Sequence, residues 1–401
     1  MKYKEMEKLN LMMKKSVLFR FISFILLGIF LLLLGFYLRH TTSIENVFIS
    51  VSEANKTQSV KTKKTKQSFF INPPEKSAHS SSLVDTKKGL MLVFFAGLKE
   101  GHKDVKIYQS FFDTIKQEWS EPRVILSAEE LSRLNHKFIK KLGNPVVFKD
   151  SQNRVHFFVV GVSLGGWATS KIYQFVFDES LEKLEFKQEL QLSTFANFSH
   201  LIRTPALIYE NGAFALPLYH ELIDKYPLIA FFDQEGRFSH TKRLNSLKGQ
   251  LQPSIIALNK SQCLVFFRNY KSYENTAFVQ ICSLGAKEWQ KPFQSSLKNY
   301  DSSSVLSVFK DHNGKTQILL LHNDGEKNVR SRLSLYYLKD TSKGEFVRLL
   351  SLDEGEEISY PAAIIKDENL YISYTFNRQK IKIQKLDLSY LQNLLEFKGK
   401  E

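Results

Sequence analysis

From His79 onward the chain repeats one hydrophobic rhythm. A short opening begins on a polar residue and continues into small or apolar ones: HSSSLV at His79, NPVVF at Asn144, RTPALI at Arg203, QPSIIAL at Gln252, DSSSVLSVF at Asp301 and YPAAII at Tyr360. A turn follows, then a strongly apolar strand: LMLVFFAG, VHFFVVGV, AFALPLYHE, CLVFFRNY, QILLLHND and LYISYTFNR. A third, more alternating strand closes each unit: KIYQSFF, KIYQFVF, LIAFF, FVQICS, RLSLYY and KIKIQKL.

The units recur every roughly 50 to 65 residues with three or four strands each, the signature of propeller blades, because one small sheet cannot bury both faces without stacking on its neighbours. Six units predict an all-β, six-bladed β-propeller over residues 77–401. A weaker repeat marks the blade ends: SFFDTIKQEWSEP, FVFDESLEKLEF, AFFDQEGRFSH, QICSLGAKEWQKP and YYLKDTSKGEF. There a turn rich in Asp, Ser and Gly precedes an aromatic, which points to a structural role at turns.

Ahead of the repeat the pattern changes twice. Phe21 to Leu38 reads FISFILLGIFLLLLGFYL, with no charge and one Ser, or about 27 Å as a helix, close to a bilayer core. No small-x-small cleavage site follows, so an uncleaved signal-anchor is expected. Residues 1–20 form a basic tail with Lys2, Lys4, Lys8, Lys14, Lys15 and Arg20, whereas Arg39 and Lys56 are the first cations after the span. The positive-inside rule then places the N-terminus in the cytoplasm and the propeller on the periplasmic or extracellular side. Residues 39–76, rich in Lys, Thr, Ser and Asn, read as a linker.

Composition supports this division. The chain has 401 residues, 43% of them hydrophobic, and 33 are Phe, which suits a large strand-rich core. The net charge is +15, yet residues 1 to 66 carry 12 Lys and Arg against 4 Asp and Glu, so over half the excess lies in tail and linker. That makes it a topology signal rather than a nucleic-acid footprint, and no nucleic-acid partner is expected. Cys263 and Cys282 fall on consecutive strands of one unit, where either a disulfide or two buried thiols would fit. No phosphate loop, metal-spaced His/Cys cluster or serine-hydrolase elbow is present, so no cofactor and no metal is implied.

In a propeller the innermost strands line the axis and their loops form the mouth, so residues far apart in sequence converge. The candidates are His79, Asn144, Arg203, Gln252, Asp301 and Tyr360 at the openings. Glu100, His102, Asp104, Tyr219, His220, Glu221, Arg268, Asn269, Arg330 and Arg378 join them from adjacent strands and loops.

The set HSSSLV, GNPVVF, RTPALIYENGAFALPLYHE, LQPSIIAL, FFRNY, RSRLSLYY, YPAAI and TFNRQKIK, in this order over residues 77 to 388, resembles the BNR/Asp-box sialidase-like family. The resemblance implies an exo-acting glycosidase in which arginines grip a sugar carboxylate and a Tyr is the nucleophile. A Glu serves as that Tyr's base, and a loop carboxyl is the general acid/base. It assigns Arg268 and Arg330 to the arginine cluster, Tyr360 to the nucleophile and Glu100 or Asp104 to the acid/base. It also places His79 where the family has its first arginine and Gln252 where it has the Tyr-activating Glu, while Arg203 offers a further carboxylate contact. Asn144, Tyr219, His220, Glu221, Asn269, Asp301 and Arg378 are expected to bind substrate.

Three functions compete. The first is a sialidase-like hydrolase acting on an acidic or modified glycan. The second is an acidic-polysaccharide lyase using His79 or His220 with Tyr219 or Tyr360. The third is a glycan-binding protein anchored through residues 21–38. Nothing in the sequence sets the oligomeric state.

Overall fold

The computed structural model describes residues 2–40, 47–49, 66–325 and 329–398. It divides into two units, residues 1–45 and 46–401. The first is one α-helix, Lys2–His40, whose segment Met12–Leu34 is long and apolar enough to cross a membrane. The expected span at 21–38 overlaps it.

The second unit is a ring of six antiparallel sheets. The innermost strands are Ser77–Thr86, Lys141–Lys149, His200–Ile202 with Leu207–Ile208, Gln250–Ala257, Val305–Lys310 and Ile358–Lys366. The chain then steps outward through each blade. Second strands such as Gly89–Gly97 and Val155–Val162 are buried along both faces, which explains their unbroken apolar runs: a blade has a neighbour on each side, so alternation would put polar groups into one interface. Six separate apolar clusters result, one between each pair of adjacent blades.

The ring is closed by a segment read from sequence as linker. Lys66–Ile71 pairs antiparallel with Lys380–Asp387 as the outermost strand of the sixth blade, in register from Lys66 opposite Leu386 to Ile71 opposite Ile381. Its burial alternates and ends on Ile71, 3% exposed. A six-residue edge strand is too short for its period to stand out from a polar stretch, so the linker assignment to 39–76 was too long. Phe48 corrects it further. Its ring is fully buried between the third and fourth blades, stacked on Tyr209 at 5.2 Å, and its N–H donates to the Lys260 carbonyl at 2.8 Å.

The blade-end repeats behave as turn devices. The Oδ1 of Asp113, Asp178, Asp233 and Asp340 each accepts two backbone N–H groups from the residues that follow. The aromatics after these turns pack inward, Trp119 on Phe112 and Phe186 on Phe175. In the fourth blade Cys263 and Cys282 face each other across two strands, 5.0 Å apart at Cα, and are joined as a disulfide.

Candidate active site

Four inner strands share one irregularity. Pairing skips two residues between His79 and Ser82, between Gly143 and Val146, between Leu251 and Ser254, and between Ser359 and Ala362. The first residue of each skipped pair is left-handed: Ser80 (φ 54°), Asn144 (42°), Gln252 (41°) and Tyr360 (54°). Such a bulge re-aims a side chain at the expense of ladder hydrogen bonds, and non-glycine residues with positive φ are strained positions often kept for function. Asp301 is also left-handed (57°) at the opening of the fifth blade. This register corrects one expectation: Ser80, rather than His79, is the first blade's equivalent of Asn144, Gln252 and Tyr360.

The mouth has a charged half and a neutral half. In the charged half, cations and carboxylates alternate across four blades. Arg268 Nε donates to Asp301 Oδ1 at 2.7 Å, and Arg330 Nη2 donates to the Asp301 carbonyl at 2.9 Å. Arg330 Nη1 lies 3.7 Å from Glu357 Oε1. Arg378 donates through Nε to Glu357 and through Nη1 to Glu100, the latter at 2.6 Å. In the neutral half, Tyr219 Oη accepts from Asn144 Nδ2 at 3.4 Å and from Gln252 Nε2 at 3.3 Å, while Ser80 Oγ donates to Asn144 Oδ1 at 3.3 Å.

Tyr360 stands against the charged half. Arg268 Nη1 donates to its hydroxyl at 3.3 Å. The guanidinium carbons of Arg203 and Arg330 lie 5.2 and 5.6 Å from its ring centroid, within cation–π range. The imidazole of His79 lies 4.3 Å from the ring on centroids.

The surroundings set the charges. Burial works against the Arg268 cation, but Tyr360 and Asp301 outweigh it and raise its pKa. Arg378 is also raised, its burial overcome by Glu357 and Glu100. His79 moves the other way. It is 1% exposed, and burial followed by Arg378, Arg330, Arg203 and Arg268 holds its pKa well below the usual histidine range. A neutral imidazole cannot replace an arginine as a carboxylate anchor, so His79 does not fill that role. Its Nδ1 meets Thr375 Oγ1 at 2.9 Å.

Arg203 also differs from expectation. It is 2% exposed, and its two terminal nitrogens donate to the carbonyls of Ser81, at 3.2 Å, and Pro361, at 2.6 Å. Burial without a carboxylate partner lowers its pKa to about 10. It is a strut across the axis, tying the third blade to the first and sixth. Asn269 is structural too, its amide bonded to the Ser272 and Thr276 carbonyls. His220 packs between His200 and Tyr226. Asp104 pairs with His102 and accepts the Leu98 N–H at 2.9 Å, contacts that do not reach the arc.

Sequence reasoning missed Glu357, which holds both Arg330 and Arg378. Its signal was an acidic residue three positions before the opening Tyr360. A hollow of about 620 Å³ lies elsewhere, at the turns that end the inner strands of the first two blades, lined by Lys87, Lys149, Gln152, Arg154 and Asp178. None of the arc residues lines it.

Comparison with known proteins agrees with this architecture. No curated protein sequence matches the chain. Among solved structures, the Hadza microbial sialidase superposes with a TM-score of 0.64 at 14% identity, covering 79% of this chain and 66% of that one. Trypanosoma rangeli sialidase gives 0.62 at 12%, covering 84% and 61%. Penicillium chrysogenum alpha-L-arabinanase, solved with arabinobiose, gives 0.60 at 10%, covering 81% and 98%. The chain thus spans less than two thirds of the length of these sialidases, and likeness at such identity speaks for the fold. Residues 88–372 match the BNR repeat-like domain, and the chain, a sialidase-like six-bladed propeller, belongs to that family.

Proposed function

We propose that the protein is a sialidase-like glycoside hydrolase acting on an acidic or modified glycan, with Tyr360 as nucleophile and Arg268, Arg330 and Arg378 orienting the sugar. The observation that carries the reading is the placement of Tyr360: a strained bulge presents its hydroxyl to Arg268 beside an arc of three arginines. Guanidinium groups recognise planar anions through paired donors, and the Nη2 of Arg268 and of Arg378 makes no protein hydrogen bond among the described residues.

In this mechanism the phenolic oxygen attacks the anomeric carbon and a carboxyl group protonates the leaving oxygen; water then releases the sugar. Arg268 donates to the phenolic oxygen and so stabilises negative charge as its proton departs. Gln252 cannot accept that proton, and its amide instead donates to Tyr219. This observation supports a second reading, a propeller that binds glycan without turnover.

Residues 21–38, in the helix whose segment Met12–Leu34 is long and apolar enough to cross a membrane, are assigned as a membrane anchor, with the basic tail of residues 1–20 on the cytoplasmic side and the propeller in the periplasm or outside the cell. The Cys263–Cys282 disulfide supports an oxidising compartment.

The test is a screen of terminal acidic and neutral glycosides with the purified full chain, scored for binding and for released sugar. The hydrolase reading expects release that Tyr360→Phe abolishes while binding persists. Full activity in Tyr360→Phe refutes the nucleophile. Binding without release establishes the second reading.

A further inference from the structure

We propose that Glu221, on the third blade, is the general acid/base of this site, in place of the first-blade carboxyls Glu100 and Asp104. The inference rests on the hydrolase reading above and names the proton donor that reading requires.

The argument is one of availability. A general acid/base must exchange a proton with the leaving group and then with water, so its oxygens have to be free of fixed cationic partners. Four of the mouth's carboxylates are engaged: Asp301 by Arg268, Glu357 by Arg378 and Ser359, Glu100 by Arg378, and Asp104 by His102 and the Leu98 N–H. Each of these bonds occupies a carboxylate oxygen that proton exchange with the leaving group would need. Glu221 is the exception. Its backbone is pinned, the N–H to the Ser199 carbonyl at 3.0 Å and its carbonyl to Lys225 Nζ at 2.8 Å. Its carboxyl has no hydrogen-bond or ion-pair partner among the described residues.

Position supports the assignment. Glu221 lies two residues beyond Tyr219, at the end of Phe214–His220, and is half-buried. The groups that act on it electrostatically are Lys225, Arg268, Asp301 and Glu100, three of them members of the charged arc. Burial, reinforced by Asp301 and Glu100 against Lys225 and Arg268, pushes its carboxyl above the usual glutamate range, as suits a group that must hold its proton until substrate arrives.

The step balances. Glu221 gives its proton to the glycosidic oxygen as the bond from that oxygen to the anomeric carbon breaks, its electron pair passing to the oxygen. Tyr360 Oη forms the new bond, and the phenolic proton leaves to solvent. In the second half Glu221 takes a proton from the water that attacks the anomeric carbon, and the phenolate is reprotonated from solvent.

The experiment compares the full-length wild type, Glu221→Gln, Glu221→Asp and Asp104→Asn on sialyllactose and on the 4-methylumbelliferyl ketoside of N-acetylneuraminic acid, whose leaving group needs little protonation. Melting curves confirm that each variant folds. We expect Glu221→Gln to lose on the order of 10²- to 10⁴-fold on sialyllactose and far less on the aryl ketoside. The basic limb of its kcat/KM profile should disappear, and Glu221→Asp should recover part of the loss. Equal losses on both substrates, an unchanged pH profile, or this pattern in Asp104→Asn instead would overturn the assignment while leaving the hydrolase reading intact. A wild type that releases no sugar from these substrates or from any glycoside in the screen would remove the hydrolase reading and this assignment with it.

Discussion

His322 ties the stability of the site to pH. Its ring is 1% exposed; Nε2 donates to the Lys298 carbonyl at 2.9 Å, and Nδ1 therefore accepts from Ser304 Oγ at 2.9 Å. These bonds fasten both ends of the loop that carries Asp301, the partner of Arg268 and Arg330. Burial lowers the His322 pKa from 6.5 to about 4, only partly offset by the Lys298 carbonyl and Asp324. As pH falls the unfolded chain takes up the proton near 6.5 and the folded chain only near 4, so neutral His322 contributes stability that is intact above about pH 6.5 and lost towards pH 4. The gap between 6.5 and about 4, at about 1.36 kcal/mol per pH unit, makes the loss about 3 kcal/mol by pH 4. His322→Asn removes the titration. We expect urea unfolding at pH 7, 5.5 and 4 to show wild-type stability falling by about 3 kcal/mol more than that of His322→Asn across this window. The carboxylates lose protection in both proteins and cancel in the comparison. Parallel pH dependence in the two proteins, or a His322 imidazole titrating above pH 6 by NMR, would refute the reasoning.

Three further outcomes follow from particular contacts. Phe48→Ala, which empties the space against Tyr209 between two blades, should cost about 3–5 kcal/mol in urea unfolding; a cost below about 1 kcal/mol would mean the segment does not pack there. The double variant Cys263→Ala/Cys282→Ala opens a link of sequence separation 19 and should lose about 3 kcal/mol, while the unreduced wild type in denaturant should titrate no free thiol. Asp301→Asn removes the charged partner of Arg268 and should weaken binding of any glycan found in the screen at least about tenfold, the equivalent of about 1.4 kcal/mol, with unchanged affinity arguing that the arc does not hold the ligand.

Much of the fold was legible in one dimension because its strongest signals are local. Six apolar second strands, six polar openings and five turn-plus-aromatic endings each arise within a few residues, and stacking blades that need both faces covered demands that repetition. The apolar run near the N-terminus is local for the same reason. What the sequence left open depends on register and on partners distant along the chain. Only pairing reveals that the bulge begins at Ser80 and not at His79, since a slip of one residue leaves the residue types unchanged while redirecting every side chain. Only closure of the ring shows that Lys66–Ile71 is a strand, because its hydrogen-bond partners lie more than 300 residues away. Residue type alone likewise could not tell an arginine that binds ligand from one that ties blades together. Arg203 and Arg268 both sit where a blade meets the mouth, and they diverge because the hydrogen bonds of Arg203 go to carbonyls within the axis whereas those of Arg268 go to Asp301 and the Tyr360 hydroxyl. The kinds of group available at the mouth were written in the sequence. Which of them are spent on each other and which stay free for a ligand was decided by tertiary structure, since hydrogen-bond partnership is a property of positions in space.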